Sequence, residues 1–404
     1  MIKSRDKNME PVWSKKGMRI YHGDWLKVLK KLPEKSVHCV TTSPPYWGLR
    51  DYGNDKSLEL GCEKTPKEYV ERMVQGFQQI YRVLRDDGCV WLNLGDTYNG
   101  GSPGGVSKIQ NSNKGSFGAK RNKITLKSGN LVGIPWMVAF ALQADGWILR
   151  QDIIWNKPAP TPEPVRSRCT KAHEYIFLLT KSMKYFFDPE PIREAVVPEF
   201  SGRARFPPHG DHVKAEGHKA HREQYYAEVC GANKRDVWTV ASQGYADAHF
   251  ATYPMKLIEP CILAGTSEKG CCPECGKPWI RITEKTKLKR KRPREFVKRT
   301  GQAGTGNKCN NTVAGTSSKT IGWQPTCDCN AGDPVPCTVL DPFLGSGTTL
   351  LVASKHFRYG VGIELSEEYI ELAKKRIGSE INRPNFFRPE PEKKPQRRPR
   401  VRLF

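Results

Sequence analysis

The chain has 404 residues, enough for one large domain with an insertion or for two domains. Its 66 lysines and arginines against 42 acids give a net charge of +24, so an acidic polymer is its natural partner. No apolar run reaches about 18 residues, which excludes a membrane-spanning helix, and the opening MIKSRDKNMEPVW has no apolar signal core.

After an N-terminal extension, 1–17, MRIYHG at 18–23 reads as a short strand. Trp25, Val28, Leu29 and Leu32 then recur at helical spacing over 25–32. Asp24 stands just past the strand, where parallel α/β sheets keep ligand contacts; it equally suits a helix cap. Val37, Cys39 and Val40 lead as an apolar strand into Thr42-Ser43-Pro44-Pro45-Tyr46-Trp47. Two prolines forbid further strand or helix there. The corner offers a rigid backbone, a prolyl carbonyl, a small hydroxyl and an aromatic face. Ser43 and the Pro44 carbonyl can accept the two hydrogens of an exocyclic amino group while Tyr46 stacks on its ring. An ordinary proline turn with a packed tyrosine is the bland alternative.

Thr65-Pro66-Lys67-Glu68 opens a helix with a capping box and proline at its first position. Val70, Val74, Phe77, Tyr81 and Leu84 form its apolar stripe, and Gly88 ends it before a strand at 89–96. Residues 99–130 are dominated by Gly, Ser, Asn and Lys, and read as a long flexible loop: either a lid over a polymeric substrate or a passive insertion. A helix over 134–145 follows, then strands at 147–155 and 173–182 separated by a basic, proline-rich linker. Residues 183–236 carry many His, Arg, Lys and Tyr without periodicity; His209, His212, His218 and His221 read as exposed polar loop rather than metal ligands. A helix from Met255 to Ala264 closes the segment 237–265.

Thirteen cysteines, mostly scattered, read as reduced thiols of an intracellular, cytoplasmic protein. Within an insert at 266–337, Cys272-Pro-Glu-Cys275-Gly resembles a zinc-knuckle turn, and Cys327-Asp-Cys329 supplies a second pair for one structural Zn²⁺. The same insert holds a basic run, 285–299, and the tail 381–404 adds RRPRVR; such runs are either solvated or meet phosphates, and carry no sequence information by themselves.

Thr338-Val339-Leu340 forms a last apolar strand but one, closed by Asp341-Pro342-Phe343, with Gly345 and Gly347 in a tight turn before a helix starting at Thr348. No lysine follows the glycines, so this is not a phosphate loop, and Leu350 spoils a dinucleotide fingerprint. A nucleoside bearing a cationic sulfonium fits better, since Asp341 and Phe343 offer a carboxylate and an aromatic face. Glu364 ends the next strand, 359–363, where a carboxylate can hold both ribose hydroxyls or simply start a helix. That helix runs 366–377, with Gly378 beyond it.

The SPPY corner followed far downstream by DPFLGSGTT resembles the S-adenosylmethionine-dependent DNA amino-methyltransferases, over roughly 18–182 and 237–377. The order of the two motifs resembles the beta-type, circularly permuted arrangement. The resemblance implies an α/β fold: a seven-stranded, mostly parallel, Rossmann-like sheet with the zinc-knuckle insert. Its catalytic half would be 18–182, its cofactor-binding half 338–380 and its target-recognition region 183–236. It implies that Ser43, Pro44, Pro45 and Tyr46 hold a base flipped out of double-stranded DNA. S-adenosyl-L-methionine would then be held by Asp24 (facing its adenine), Phe250, Asp341, Phe343, Gly345, Gly347, Thr348 and Glu364. In this family an SPPY corner tends to accompany methylation of cytosine N4. The alternatives are adenine N6, an RNA base, or a zinc-stabilised nucleic-acid-binding protein with an inactive fold. Monomer or homodimer, and a cognate restriction enzyme, stay open.

Overall fold

A computed structural model describes residues 10–48, 58–99, 126–160, 162–163, 165–194, 232–243, 253–288 and 315–382. Phe250, the four histidines named above, most of the 99–130 and 183–236 segments, most of the basic run and nearly all of the tail lie outside them.

Eleven strands and six α-helices are described. They are β1 (Trp13–Lys15), β2 (Met18–His22), α1 (Trp25–Leu29), β3 (Val37–Thr42), α2 (Pro66–Val83), β4 (Leu84–Leu94), α3 (Ile134–Ala144), β5 (Ile148–Asn156), β6 (His173–Thr180), β7 (Val237–Thr239), α4 (Met255–Gly265), β8 (Ile280–Leu288), β9 (Gly315–Gln324), β10 (Thr338–Asp341), α5 (Thr348–Lys355), β11 (Tyr359–Glu364) and α6 (Glu367–Ile381). The main sheet runs β1-β2-β11-β10-β3-β4-β6-β5-β7. Strands β2, β11, β10, β3 and β4 are mutually parallel, and β6 is antiparallel to both of its neighbours. All seven expected strands are present; β1 and β7 extend the sheet to nine by adding three residues at each edge.

Alternation along the central strands sorts side chains onto two faces. Val40, Val90 and Leu92 pack with Phe77, Met73, Val138 and Leu142 of α2 and α3. Cys39, Cys89 and Trp91 pack with Leu257, Ile258 and Ile262 of α4. Helix α6 covers β2 through Ile370, Ala373 and Ile377 against Met18 and Ile20. Two boundaries differ from the sequence reading. Helix α2 stops at Val83, because Leu84 already has extended geometry (φ −71°, ψ 141°), so Gly88 lies inside β4. Helix α6 continues through Gly378, because Ile381 beyond it is fully buried and the apolar contact outweighs the glycine penalty. The insert forms a β8–β9 hairpin that apolar periodicity did not reveal.

From β10 the chain moves through α5 to β11 on one side, and from β3 through α2 to β4 on the other. The carboxyl ends of β10 and β3 therefore flank a topological switch point, where open α/β sheets bind ligands.

Candidate active site

A cavity of about 380 Å³ opens at that switch point, within the range of small-molecule sites. Asp24, Ser43, Pro44, Pro45, Tyr46, Phe343, Gly345, Thr348 and Glu364 all line it. The two motifs lie some 300 positions apart in the sequence. They meet because β3 and β10 pair in parallel, with Val339 beside Cys39 and Leu340 beside Val40.

Two carboxylates hold the glycine turn that follows β10. Glu364 receives the Gly345 N–H on Oε2 at 2.7 Å and the Leu365 and Ser366 N–H groups on Oε1, both at 2.9 Å. Burial pushes this carboxyl above its ordinary range while those amides pull against the shift. Asp341 is fully buried and does not line the cavity. Its Oδ1 accepts from Thr42 Oγ1 at 2.7 Å and from the Phe343 N–H at 3.1 Å. Its Oδ2 accepts from Thr349 Oγ1 at 2.5 Å and from the Tyr253 hydroxyl at 2.9 Å. Burial raises the Asp341 carboxyl to about 6. This network ties β3, α4, α5 and the turn together. Gly345 and Gly347 take positive φ (52° and 84°), and Gly347 caps α5. Arg376 of α6 donates to the Ser346 carbonyl at 2.9 Å and to its hydroxyl at 2.6 Å, fixing the turn from outside. Phe343 packs on Trp25 with ring centroids 4.6 Å apart, and the Asp24 carboxylate accepts the Leu26 N–H as the cap of α1.

The corner is equally constrained. The Tyr69 hydroxyl donates to the Pro45 carbonyl at 3.0 Å, and Trp47 Nε1 donates to the Glu63 carbonyl at 2.9 Å. The Tyr46 ring rests on Gly95, where an added Cβ would sit 2.5 Å from Cε2. Its hydroxyl donates to Glu174 Oε2 at 2.6 Å, lies 3.0 Å from Asn93 Oδ1 and receives the Ser43 hydroxyl at 3.4 Å. Burial and the Glu174 carboxylate push the phenol well above its usual range, so Tyr46 is a neutral donor.

Several cavity residues escaped the sequence reading: Asn93, Trp155, Lys157, Glu174 and Tyr253. Asn93 sits in an apolar strand run and Glu174 at a strand start, so neither periodicity nor a local motif marks them. Tyr253, three residues past the expected Phe250, leads into α4 and has its hydroxyl on Asp341. A buried Asn between Trp91-Leu92 and Leu94 was the one available signal, since buried polar groups need partners.

At the far end of the same strands, Cys272, Cys275, Cys327 and Cys329 place their sulfurs within 4.8 Å of one another. Backbone N–H groups of Cys275 and Glu274 hold the Cys272 thiol down at about 7. Four soft donors gathered at one point fit a tetrahedral thiolate centre. The turn docks on the sheet: Arg85 donates to the Cys275 carbonyl at 2.7 Å, and His38 Nε2 to the Gly276 carbonyl at 2.9 Å.

A family model described as DNA methylase matches residues 37–272 and 336–375. The Type II methyltransferase M.Cfr9I of Citrobacter freundii is 35% identical over 365 residues, covering 90% of this chain and 89% of its own length. The Type II methyltransferase M.SmaI of Serratia marcescens is 35% identical over 361 residues, covering 89% and 90%. Among solved structures, the PvuII DNA methyltransferase, titled cytosine-N4-specific, aligns over 91% of this chain and 88% of its own. Its TM-score of 0.50 at 17% identity is a likeness of fold.

Proposed function

This chain belongs to the DNA amino-methyltransferases, and from that premise we propose that it methylates the N4 amino group of a cytosine flipped out of duplex DNA, using S-adenosyl-L-methionine. The observation that carries this reading is the shared cavity: the Ser43–Tyr46 corner and the Phe343–Glu364 turn face one space. Asp24, Phe343, Gly345, Thr348 and Glu364 would hold the cofactor, whose chemistry is an electrophilic methyl on a cationic sulfur. Gly347 shapes the turn, and Asp341 acts as a positioning residue, since its four donors bind strand, turn and helix together. Phe250 lies outside the described residues, and its contact with the cofactor is proposed on the family resemblance alone.

At the corner, Ser43 Oγ and the Pro44 carbonyl accept the amino hydrogens. They turn the nitrogen lone pair out of conjugation with the ring and toward the methyl. Tyr46 stacks on the base. A neutral serine hydroxyl can also donate to a ring nitrogen beside the amino group, but adenine offers the same acceptor as cytosine, so the cytosine reading rests on the SPPY corner itself. We read the adjacency of β2 and β11, from opposite ends of the chain, as a circularly permuted sheet. The cysteine cluster is read as holding one structural Zn²⁺. The Type II relatives support a restriction-modification setting.

Mass spectrometry of nucleosides from DNA incubated with enzyme and S-adenosyl-L-methionine tests the target. N4-methylcytosine is the expected product. N6-methyladenine alone would overturn the cytosine assignment and leave the family standing.

A further inference from the structure

Glu174 and Lys157 sit in the cavity wall without a place in the chemistry just described. Strands β5 and β6 pair antiparallel with Trp155 opposite Glu174 and Asn156 opposite His173. Lys157 follows directly, its N–H on the Ala172 carbonyl at 2.8 Å. The Lys157 ammonium meets Glu174 Oε1 in an ion pair whose side chains are 21% and 14% exposed. It also lies 4.3 Å from the Trp155 ring centroid, within cation–π range. Glu174 Oε2 takes the Tyr46 hydroxyl at 2.6 Å, the short length of a charge-assisted bond, and Asn93 Nδ2 at 3.3 Å. The two carboxylate oxygens thus hold different partners, Oε1 the Lys157 ammonium and Oε2 the Tyr46 hydroxyl.

We propose that Glu174 is a positioning residue for methyl transfer, one that fixes the Tyr46 ring against which the target base stacks, with Lys157 holding the carboxylate in place. The proposal rests on the reading of Ser43–Tyr46 as the base-holding corner. The Tyr46 ring lies directly on Gly95, and its hydroxyl contacts with Glu174 and Asn93 tie the far end of the ring to β6 and β4. A base resting on a displaced ring no longer presents its amino nitrogen in line with the methyl, and a misplacement of about 1 Å costs about a hundredfold in rate.

The test is a double-mutant cycle with Tyr46→Phe, Glu174→Ala and the pair combined. It measures kcat and KM for methyl transfer from labelled S-adenosyl-L-methionine to unmethylated chromosomal DNA. Each single substitution is expected to lower kcat about ten- to a hundredfold, with the cofactor KM unchanged. The double variant is expected to be no slower than the slower single, because both remove the same bond. Losses that multiply would show that Glu174 acts independently of Tyr46 and would overturn the proposal. Where Glu174→Ala fails to bind cofactor in calorimetry, the same cycle runs with Glu174→Gln, under the same criterion. A Tyr46→Ala variant at full kcat would instead sink the base-holding reading itself.

Discussion

Asp341 accepts four donors and faces no solvent, and those two facts pull against each other. Burial wins in part, placing its carboxyl at about 6 against an ordinary 3.8. The folded state therefore holds a proton that the unfolded chain has lost between these values. Stability from this group is fully present below the ordinary value and is lost as pH rises through about 6, by on the order of 3 kcal/mol. Urea unfolding of cofactor-free protein is expected to show this as a wild-type stability that declines from about pH 4 to about pH 7 more steeply than that of Asp341→Asn. Parallel curves would mean that Asp341 does not titrate in this window. Glu364 differs, because its carboxylate faces the cavity while bracing Gly345. Glu364→Ala is expected to weaken S-adenosyl-L-methionine about ten- to a hundredfold by calorimetry, with the fold intact. Unchanged affinity would remove Glu364 from the cofactor site.

At the scale of elements, the cysteine turn and the cavity occupy opposite ends of β3 and β10. His38 is the second residue of β3 and Thr338 the first of β10, and the Thr338 N–H donates to His38 Nδ1 at 3.0 Å. The ligand-side ends are fixed separately, by Thr42 on Asp341. Purified protein is therefore expected to carry about one zinc per chain. Cys272→Ser is expected to lose the metal and lower the melting temperature while cofactor affinity holds. Metal analysis reading no zinc in active wild-type protein would reduce the cluster to thiols. Helix α2 offers a packing check: Phe77 is fully buried between the sheet and Trp147, ring centroids 6.1 Å apart. Phe77→Ala is expected to cost about 3–5 kcal/mol in chemical unfolding; a loss below about 1 kcal/mol would mean that this core is not packed as described.

Over the whole molecule, charge and pocket divide the labour. A net charge of +24 suits a phosphate polymer, whereas the cavity walls are apolar and carboxylate-lined. Duplex DNA affinity is expected to fall steeply with salt, because each neutralised phosphate releases counterions. Cofactor affinity is expected to move little over the same range, since the cavity proposed to hold it lies within the protein rather than on its charged surface. Fluorescence anisotropy for DNA and calorimetry for cofactor, at low and moderate salt, distinguish the two; equal salt slopes would contradict this division. Among the described residues, no helix is long and apolar enough to cross a membrane.

Local sequence determined the elements of the sheet's centre and the two motifs. Pro44-Pro45 breaks a strand wherever it occurs, Thr65-Pro66 starts a helix by its own hydrogen bonding, and Gly345 and Gly347 permit a turn that other residues strain. The paired cysteines were legible for the same reason, because C-x-x-C and C-x-C bring their sulfurs together over a few bonds. Only the tertiary structure decided what those motifs face. The Glu174–Tyr46 bond spans 128 positions, and the Thr42–Asp341 bond spans 299. Such pairs depend on which strands lie side by side and in what register, and neither is written into any window of the sequence. Helix ends at Val83 and Ile381 were decided the same way: Leu84 pairs with Val37 of β3, and burial of Ile381 beside Met18 and Ile20 outweighed the local preference of Gly378.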